Sequence, residues 1–531
     1  MAVEGFLSVS IVIRLIGVYV AYQILRTLYN ISPFHPLSHI PGPKLAAATW
    51  MYEAWFDLIQ GGMYTKEIKR MHEVYGPVVR INPEELHFND IAFIDEIYAG
   101  KGRRRDKQKH SLEFMAGPVR DGMFATAEHD LHRIRRSAMN KFFSKAQIAK
   151  LESLIKELAN ELCDKIIRLE TNAGKPFDIT EAYSCFTADV ISGYCFGETF
   201  GFLKQENWEP NFRKPLYGAL KSMYTFRFLP FLKILVDIAP LFADWLEEDI
   251  RVMLKESNET MPARVQKARK EHEAGVNPQF PSIFSDLLNS SLPEHEKTDL
   301  RIGGEGCAMI GAGTETTAWT LSVVTVYLLK QPETLAPLTK ELQEADALNL
   351  SWFSLEKLPY LTAVVTEALR LSYGVSGRLP RIAPTENLLY QGKFRGREIE
   401  YVIPSGTPMG MSNAINHHNE DIFPDSHEFK PERWLNIDEA QRFRMENSLT
   451  SFSKGSRQCI GQNLASCNMY VGLAALTLRI FPRMKLFETD VDDVEYDHDL
   501  WNPAPKYSSK GCIWKGPVSD EKVEAGLVTR I

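Results

Sequence analysis

The chain has 531 residues, which suffices for one large domain or for two or three ordinary ones, because domains usually contain about 50 to 250 residues. Hydrophobic residues make up 44% and charged residues 24%, and 61 basic against 68 acidic residues give a net charge of −7, which excludes a disordered chain and a basic nucleic-acid binder. Seven cysteines without a repeating spacing exclude the disulfide framework of a secreted protein and favour a reducing compartment.

An apolar segment opens the chain. Phe6–Leu25 is long enough, at about 1.5 Å per residue, to cross a hydrocarbon layer of about 30 Å, although Arg14 lies near its middle. A cleaved signal peptide would carry positive charge ahead of the apolar region, and residues 1–13 contain no Lys or Arg. We therefore expect an uncleaved membrane anchor at residues 1–29; a signal peptide and a buried helix are the alternatives.

A proline-rich segment, residues 30–44, follows the anchor. Its prolines cannot continue a helix and predict a stiff, extended spacer. Basic residues such as Arg26 and Lys44 follow the apolar segment and none precede it, so the positive-inside rule places the body in the cytosol. Residues 45–531 show no second linker or repeat, so we predict one domain there, with a loose tail after Pro517.

Helical spacing of apolar residues dominates this domain. The clearest predicted helices are Lys145–Leu169, Glu181–Tyr194, Leu300–Leu329, Leu335–Ala347, Tyr360–Ser372 and Gln462–Phe481. Strand signals are fewer, at Val78–Ile81, Leu388–Tyr390, Glu398–Val402 and Gly406–Met411. The sequence thus predicts a mainly α fold with small β-sheets.

A basic run, KGRRRDKQK, occupies residues 101–109. Such runs usually lie on a solvated loop, and a docking patch is the alternative. We interpret it as a solvated loop.

Cys459 has the surroundings of a metal ligand. Backbone N–H groups and the positive end of a helix beginning just after it would lower the pKa of its thiol. Gly455 and Gly461 would let the backbone approach a flat cofactor, and Arg457 could neutralise a carboxylate on that cofactor. An inert buried cysteine is the alternative, zinc is excluded by spacing, and Cys467 is interpreted as packing.

The stretch FSKGSRQCIG fits Phe-x-x-Gly-x-Arg-x-Cys-x-Gly at Phe452, Gly455, Arg457, Cys459 and Gly461. This resembles the haem-binding signature of the cytochrome P-450 family. The resemblance implies haem b, with the thiolate of Cys459 as axial ligand of the iron and Phe452, Gly455, Arg457 and Gly461 as cofactor-binding residues. It also implies one large, mainly helical domain.

A second motif lies upstream, in RIGGEGCAMIGAGTETTAW, residues 301–319. Each of its five glycines costs a helix interior about 1 kcal/mol relative to alanine, and a helix built only for packing would not carry them. AGTETT resembles the oxygen-activation motif of the same family, with Gly313 opening a groove for dioxygen and Glu315 and Thr316 delivering protons. A dinucleotide-binding loop is the alternative, but its third glycine is missing.

A charge cluster is also similar to the family's. Glu367 and Arg370 lie three residues apart on an otherwise apolar helix, and Pro-Glu-Arg-Trp follows about sixty residues later with Arg433. The resemblance implies a scaffolding role for the three residues.

Two arginine sites resemble anchors for the haem propionates. In HDLHRIRR the family often has tryptophan four residues before an arginine, whereas this chain has His132 before Arg136, and histidine can still donate a hydrogen bond. In SGRLPRIAP, Arg381 fits the second anchor and Arg378 is the alternative.

The resemblance implies a monooxygenase that reduces dioxygen with two electrons, releases one oxygen atom as water and inserts the other into a substrate. It further implies an endoplasmic-reticulum membrane location, with membrane lipid and an NADPH-dependent flavoprotein reductase as partners. The expected reductase contacts are Arg133, Lys141, Lys145 and Lys454, and ordinary solvated side chains are the alternative. A haem-thiolate isomerase or dehydratase, and a non-catalytic haem-binding membrane protein, are the alternatives.

The expected pocket lining is mainly apolar, which indicates a lipophilic small-molecule substrate. Its members, assigned by resemblance, are Leu112, Phe114, Met115, Met123, Phe124, Ala308, Ala312, Val375 and Trp501. The stretch MHEVYGPVVRINPEELHFND, residues 71–90, is similar to fungal members that oxidise terpenoids, polyketides and other secondary metabolites.

Overall fold

The structure is a computed structural model, and it describes residues 2–100, 102–173, 176–275 and 282–515. The predicted loose tail after Pro517 lies outside the described residues. The α-helices of the described part are Ala2–Ile31, Lys44–Ala48, Met51–Ala54, Tyr64–Tyr75, Ile94–Ile97, His129–Asn140, Lys145–Ala173, Ile179–Phe196, Arg213–Lys221, Met223–Phe228, Ile234–Ile238, Glu248–Lys255, Met261–Glu273, Ile283–Leu288, Asp299–Lys330, Pro332–Glu344, Trp352–Leu355, Pro359–Ser372, Asn413–Asn416, Glu439–Ser448 and Gln462–Arg479.

The strands are short and belong to four small sheets in the described part. They are Val78–Arg80, Leu86–Phe88, Asp106–Lys107, Phe177–Asp178, Arg381–Ile382, Leu388–Phe394, Arg397–Ile403, Pro408–Gly410, Lys485–Leu486, His498–Leu500, Asn502–Ala504 and Ile513–Lys515. The predicted fold class, mainly α with small sheets, is confirmed, and each predicted helix and strand overlaps an observed one.

The central helix, Asp299–Lys330, runs through the main hydrophobic core. Thr298 caps its first turn by accepting a hydrogen bond from the backbone N–H of Arg301. Its buried face packs mainly against the Ile179–Phe196 helix, and the Gln462–Arg479 helix also contacts it. This packing therefore fixes the position of the AGTETT residues inside the molecule.

The five-stranded sheet joins segments that are distant in sequence. Its strand order is Val78–Arg80, Leu86–Phe88, Pro408–Gly410, Arg381–Ile382 and Asp106–Lys107. Lys107 lies opposite Arg381 in the antiparallel register at one edge, and Arg105, two residues earlier in the chain, is only 1% exposed. The interpretation of residues 101–109 as a solvated loop is therefore wrong, because strand pairing buries its middle.

The proline-rich segment is also not the extended spacer that was predicted. Successive turns carry residues 32–40, with backbone hydrogen bonds such as Ser38 N–H to His35 O at 2.9 Å. Leu37 and Ile40 are buried in a hydrophobic cluster with residues of the sheet. The prolines end the helix as expected, but the chain then folds back onto the body.

The first helix continues to Ile31, two residues beyond the predicted end of the anchor. Its span Ile11–Ile31 is apolar enough to cross a membrane, and Asn30, next to its end, is the one residue of the span that is buried against the rest of the protein. The Gln462–Arg483 segment has a similar hydropathy but is 78% buried. Burial thus separates a candidate membrane anchor from a core helix.

Candidate active site

A cavity of about 1270 Å³ lies between four segments of the protein. They are the central helix, the loop carrying Cys459, a cavity loop at residues 111–124 and a roof segment at residues 213–255. The predicted lining is largely confirmed: the cavity wall includes Phe114, Met115, Met123, Phe124, Ala308, Ala312, Val375 and Trp501. Leu112 does not line this cavity, so its assignment was wrong.

The thiol of Cys459 opens into this cavity. The backbone N–H of Cys459 donates to the carbonyl of Phe452 at 2.8 Å, which closes the loop around the residue. Its side chain is accessible to solvent, although protein surrounds it on the other sides, because the surface it presents is part of the cavity wall. Burial raises the pKa of the thiol, and the lowering contributions of the Gly461 N–H and of Arg136 are smaller.

The surroundings of the two loop glycines differ, and so does the argument for glycine at each position. Gly455 has φ of +70°, and a Cβ there would lie 2.1 Å from the carbonyl oxygen of Tyr98. Gly461 lies beside the sulfur at the cavity wall, and a Cβ there would lie 3.9 Å from Cys459 Sγ, an ordinary contact. The expected approach to a flat cofactor therefore remains a prediction for Gly461, whereas packing against residues 98–99 explains Gly455.

Four basic side chains gather beside His132 at the cavity wall: Lys107, Arg136, Arg381 and Arg457. None of the four forms an ion pair with an acidic side chain of the described residues. Their hydrogen bonds go to backbone carbonyls, for example Arg136 to Gln458 O and Arg457 Nη2 to Ala127 O at 2.6 Å. Within the same described part, Arg457 Nε is buried without a hydrogen-bond partner.

Charge and burial act together on these groups. Burial, followed by the charges of Arg457, Lys107 and its other basic neighbours, lowers the pKa of His132 to about 2, so its imidazole is neutral. Burial and Arg381 likewise lower the pKa of Arg457 to about 9 and that of Lys107 well below its usual value. A buried excess of positive charge fits an anionic ligand such as the two carboxylates of haem b.

Arg378 has a different environment from Arg381. Its guanidinium forms ion pairs with the buried carboxylates of Glu53 and Glu85, the latter at 2.9 Å. Arg381 donates only to the carbonyls of Leu379 and Pro380 among the described residues and lines the cavity. The geometry supports the preference for Arg381, because Arg378 already has anionic partners.

Lys107 is a cavity residue that the sequence did not reveal. Its ammonium group donates to the carbonyl of Phe124 at 2.6 Å and lies 3.6 Å from the centre of the Phe124 ring. The signal in the sequence was only the basic run, which cannot be distinguished from a surface loop without the pairing partner at Arg381.

Packing explains three of the five glycines on the central helix. A Cβ at Gly304 would lie 2.3 Å from Pro118 O, one at Gly306 would lie 2.6 Å from Met261 Sδ, and one at Gly313 would lie 2.8 Å from the Ile191 side chain. The interpretation that a packing helix would not carry these glycines is therefore wrong. Gly313 still borders the cavity, so its role toward dioxygen remains a prediction.

Glu315 and Thr316 both line the cavity. Glu315 accepts a hydrogen bond from Ser184 Oγ at 2.6 Å and one from Arg213 Nη1 at 3.2 Å, so its carboxylate is held by two other helices. Thr316 Oγ1 donates to the carbonyl of Ala312 at 2.9 Å. A hydroxyl and a carboxylate thus stand next to each other in the chain at the cavity wall.

The predicted charge cluster is confirmed. Glu367 accepts from Arg370 at 2.8 and 3.0 Å, from Arg433 at 2.9 Å and from Trp434 Nε1 at 2.9 Å. Burial alone would raise the pKa of Glu367, but the hydrogen bonds and charges of the two arginines hold it below its usual value. Cys467 is fully buried in the main core, as its packing interpretation predicted.

Comparison with known families decides the identity of this arrangement. The sequence profile described as Cytochrome P-450 matches residues 41–510. The chain belongs to the cytochrome P-450 family. Membership implies a haem with a cysteine thiolate ligand, and a redox partner, a substrate and dioxygen as participants in the reaction.

Individual cytochrome P-450 relatives are similar over nearly the whole chain. Cytochrome P-450 monooxygenase tpcC of Cochliobolus heterostrophus is 37% identical over 95% of this chain and 97% of its own length. Conidiogenone synthase PchP450 of Penicillium rubens is 38% identical over 90% and 94%, and tryptophan 6-hydroxylase fscE of Fusarium equiseti is 38% identical over 90% and 92%. These are fungal secondary-metabolism enzymes, and this chain is likewise a cytochrome P-450 monooxygenase.

Proposed function

We propose that this cytochrome P-450 binds haem b through Cys459 and inserts one oxygen atom of dioxygen into a lipophilic small molecule of secondary metabolism. The observation that carries the proposal is the cavity wall, where an accessible thiol opens toward a cluster of buried cations without acidic partners among the described residues. His132, Arg136, Arg381 and Arg457, joined by Lys107, would hold the propionates. Phe452 and Gly461 complete the lining near the cysteine.

When bound, the haem supplies reductive activation of dioxygen, with the cysteine sulfur donating electron density that favours O–O cleavage. Iron coordination would also deprotonate Cys459. Without the iron, burial raises the pKa of this thiol. Glu315 and Thr316 would hold the protons that this cleavage consumes, because both face the cavity and Glu315 is supported by Ser184 and Arg213.

An apolar substrate fits the cavity wall. Aromatic rings cluster on one side, where Trp501 lies 4.5 Å from Phe114 and 6.0 Å from Phe124 between ring centres. Rings and methionines offer dispersion contacts and few fixed hydrogen bonds, which suits a lipophilic molecule. The relatives named for conidiogenone and tryptophan show that similar chains act in secondary metabolism, and we place this chain in the same class.

The proposed location is the endoplasmic reticulum membrane, with a single N-terminal anchor at residues 1–29, a proline-rich connection at residues 30–44 and the catalytic domain, residues 45–531, in the cytosol. The apolar first helix supports an anchor. The roof segment also presents apolar side chains to solvent, with Leu241 80% and Trp245 86% exposed, which suits contact with membrane lipid.

An NADPH-dependent flavoprotein reductase is the proposed electron donor. Among the expected contacts, Arg133 and Lys141 are exposed. Lys145 is paired with Glu356 at 2.6 Å, and Lys454 is half-buried and bonded to Asn447. The first two are therefore the better candidates for an electrostatic docking surface.

A difference spectrum of the reduced protein with carbon monoxide tests the proposal. We expect a red-shifted thiolate Soret band that disappears in Cys459→Ser and persists in Cys467→Ser, a matched control in the buried core. With reductase and NADPH, Thr316→Ala should keep the band but consume NADPH without a matching amount of product. A missing band in the unaltered protein would refute the haem-thiolate assignment, and normal coupling in Thr316→Ala would refute the role of Thr316.

The spectrum, together with product analysis in air and under argon, separates the alternative functions. A non-catalytic haem protein would show the band but no NADPH-dependent product. An isomerase or dehydratase would convert its substrate without dioxygen, so turnover under argon would favour it over a monooxygenase.

A further inference from the structure

Three buried side chains and the half-buried Arg135 form a continuous ion-pair network beside the cavity. Glu296 pairs with Arg135 at 2.7 Å and with Arg301 at 2.8 Å, and Arg301 pairs with Glu305 at 2.8 Å. Glu305 is 1% exposed, and two positive charges balance two negative ones. This network differs from the basic cluster near Cys459, because each of its charges has a partner.

The network is attached to the cavity loop at two points. Glu305 Oε1 accepts a hydrogen bond from the backbone N–H of Met123 at 2.8 Å. Arg135 Nη1 donates to the carbonyl of Asp121 at 3.0 Å. The cavity loop is thus bonded through its backbone to the central helix, which carries Glu305.

A close steric contact supports the same attachment. Gly304 lies next to Glu305 on the central helix, and a Cβ there would lie 2.3 Å from the carbonyl oxygen of Pro118. The loop therefore packs directly on the helix backbone at one point and is hydrogen-bonded to the helix five residues later. The hydrogen-bonded residue, Met123, and its neighbour Phe124 both line the cavity.

Ion pairs of this kind are costly to bury and add little net stability compared with apolar side chains of similar volume. Two apolar residues could pack the helix against the loop equally well. A directional bond to a single backbone N–H fixes the position of the loop, which general apolar packing would leave less defined.

We propose that Glu305 is a positioning residue that fixes the cavity loop, and through Met123 and Phe124 the shape of the ligand space next to the haem. The proposal rests on the proposed function, because it assumes that the cavity receives haem and substrate. Glu305 belongs to the cavity wall, but its side chain is only 1% exposed and its carboxylate is bonded to Met123 N–H, so it acts through the loop. Its removal changes which ligands fit, while the iron and its thiolate stay as they are.

The test uses the haem-loaded protein and two probes that bind iron, imidazole and the bulkier 4-phenylimidazole, each titrated by the Soret shift. In Glu305→Ala we expect the ratio of the two dissociation constants to change by about tenfold. Amide exchange at residues 119–124 should accelerate by about 10- to 100-fold, as for a lost hydrogen bond to a charged group. Glu305→Gln keeps an acceptor for Met123 N–H and should stay near the unaltered protein in both measurements.

Asp299→Asn serves as the matched control. Asp299 is also on the central helix and pairs at 2.7 Å with Arg269 of the Met261–Glu273 helix, and it forms no hydrogen bond or ion pair with the described cavity loop. Gly304→Ala displaces the loop sterically while leaving the ion pairs in place, and it should change the ratio even if Glu305→Ala fails to fold. An unchanged ratio in Gly304→Ala, or equal changes in Glu305→Ala and Glu305→Gln, would overturn the proposal. Loss of the carbon monoxide band from the unaltered protein would instead overturn the proposed function.

Discussion

Two clusters of buried charge in this cytochrome P-450 differ in how completely they are neutralised. Around Glu367, one carboxylate accepts five hydrogen bonds, and Arg370 donates its remaining ones to the carbonyls of residues 417, 426 and 428. At the cavity wall, Arg381 and Arg457 have only backbone carbonyls as acceptors among the described residues. The first cluster is complete within the chain, whereas the second has no anionic partner among the described residues, which suits the proposed haem propionates.

The difference shows how a scaffold and a ligand site can be told apart. Both clusters bury arginines, and resemblance to motifs of the cytochrome P-450 family predicted both. A saturated cluster stabilises the fold when nothing is bound. An unsaturated cluster opposes folding by mutual repulsion and recovers this free energy when its ligand binds.

Breaking the saturated cluster should have the largest effect. Glu367→Gln leaves Arg370 and Arg433 buried without a counter-charge, and we expect the free energy of unfolding to fall by about 3–5 kcal/mol. Urea unfolding of the haem-loaded protein measures it. A loss too small to resolve would mean that the backbone carbonyls suffice for both arginines.

Removing a cation from the unsaturated cluster should weaken haem binding without lowering the stability of the haem-free protein. Arg381→Met keeps most of the volume, so we expect the Tm of the haem-free protein to be unchanged or raised because repulsion with Lys107 and Arg457 is relieved. Haem release to excess apomyoglobin should become about 10- to 100-fold faster, since a charge-assisted bond to a propionate is lost. A lower Tm with unchanged haem release would place Arg381 with the scaffold.

A pH series should sharpen the comparison at His132. Its pKa of about 2 in the folded protein lies below the unfolded value of about 6.5. The unfolded state therefore binds more protons between these values, and the stability contributed by His132 is complete above pH 6.5 and falls as the pH drops below it.

His132→Gln should remove up to about 1.4 kcal/mol per pH unit from this slope in the haem-free protein. Other buried histidines, such as His417 with a pKa of about 3, contribute to the slope in both proteins. Urea unfolding at pH 7 and pH 5 measures the slope. Equal slopes in both proteins would contradict a neutral, buried His132.

The smallest effect is expected at the rim of the saturated cluster. Lys430 pairs with Asp425 and Glu428, each at 2.7 Å, but its side chain is 42% exposed. Lys430→Ala should leave Tm within the scatter of replicate melts, because exposed pairs gain little over their solvated states. A clear drop in Tm would mean that an exposed ion pair at the rim stabilises the cluster as a buried one does.

Local patterns in the sequence were sufficient for the cysteine loop, the central helix and the charge cluster. Glu367 and Arg370 are three residues apart, and the spacing around Cys459 spans only ten residues. Contacts between distant segments were not accessible in the same way. Lys107 is buried because residues 106–107 pair with residues 381–382, and Gly455 is required by the carbonyl of Tyr98.

Glu305 illustrates the same limit within a recognised motif. It lies among the glycines of the central helix, and the sequence offered no reason to separate it from an ordinary helix carboxylate. Its role depends on a backbone N–H at Met123, and a backbone group leaves no trace in a residue pattern. Sequence patterns therefore predicted which residues line the cavity better than they predicted the contacts that shape it.

The turns that carry residues 32–40 have a mechanical consequence. Leu37 and Ile40 pack in a core cluster and Asn30 donates to the carbonyl of Ala48, so the connection between the first helix and the body is attached to the body along its length. If the first helix spans a membrane as proposed, its tilt sets the height of the cavity above the bilayer. Glycines inserted between Ile31 and Ser32 would turn that fixed height into a range.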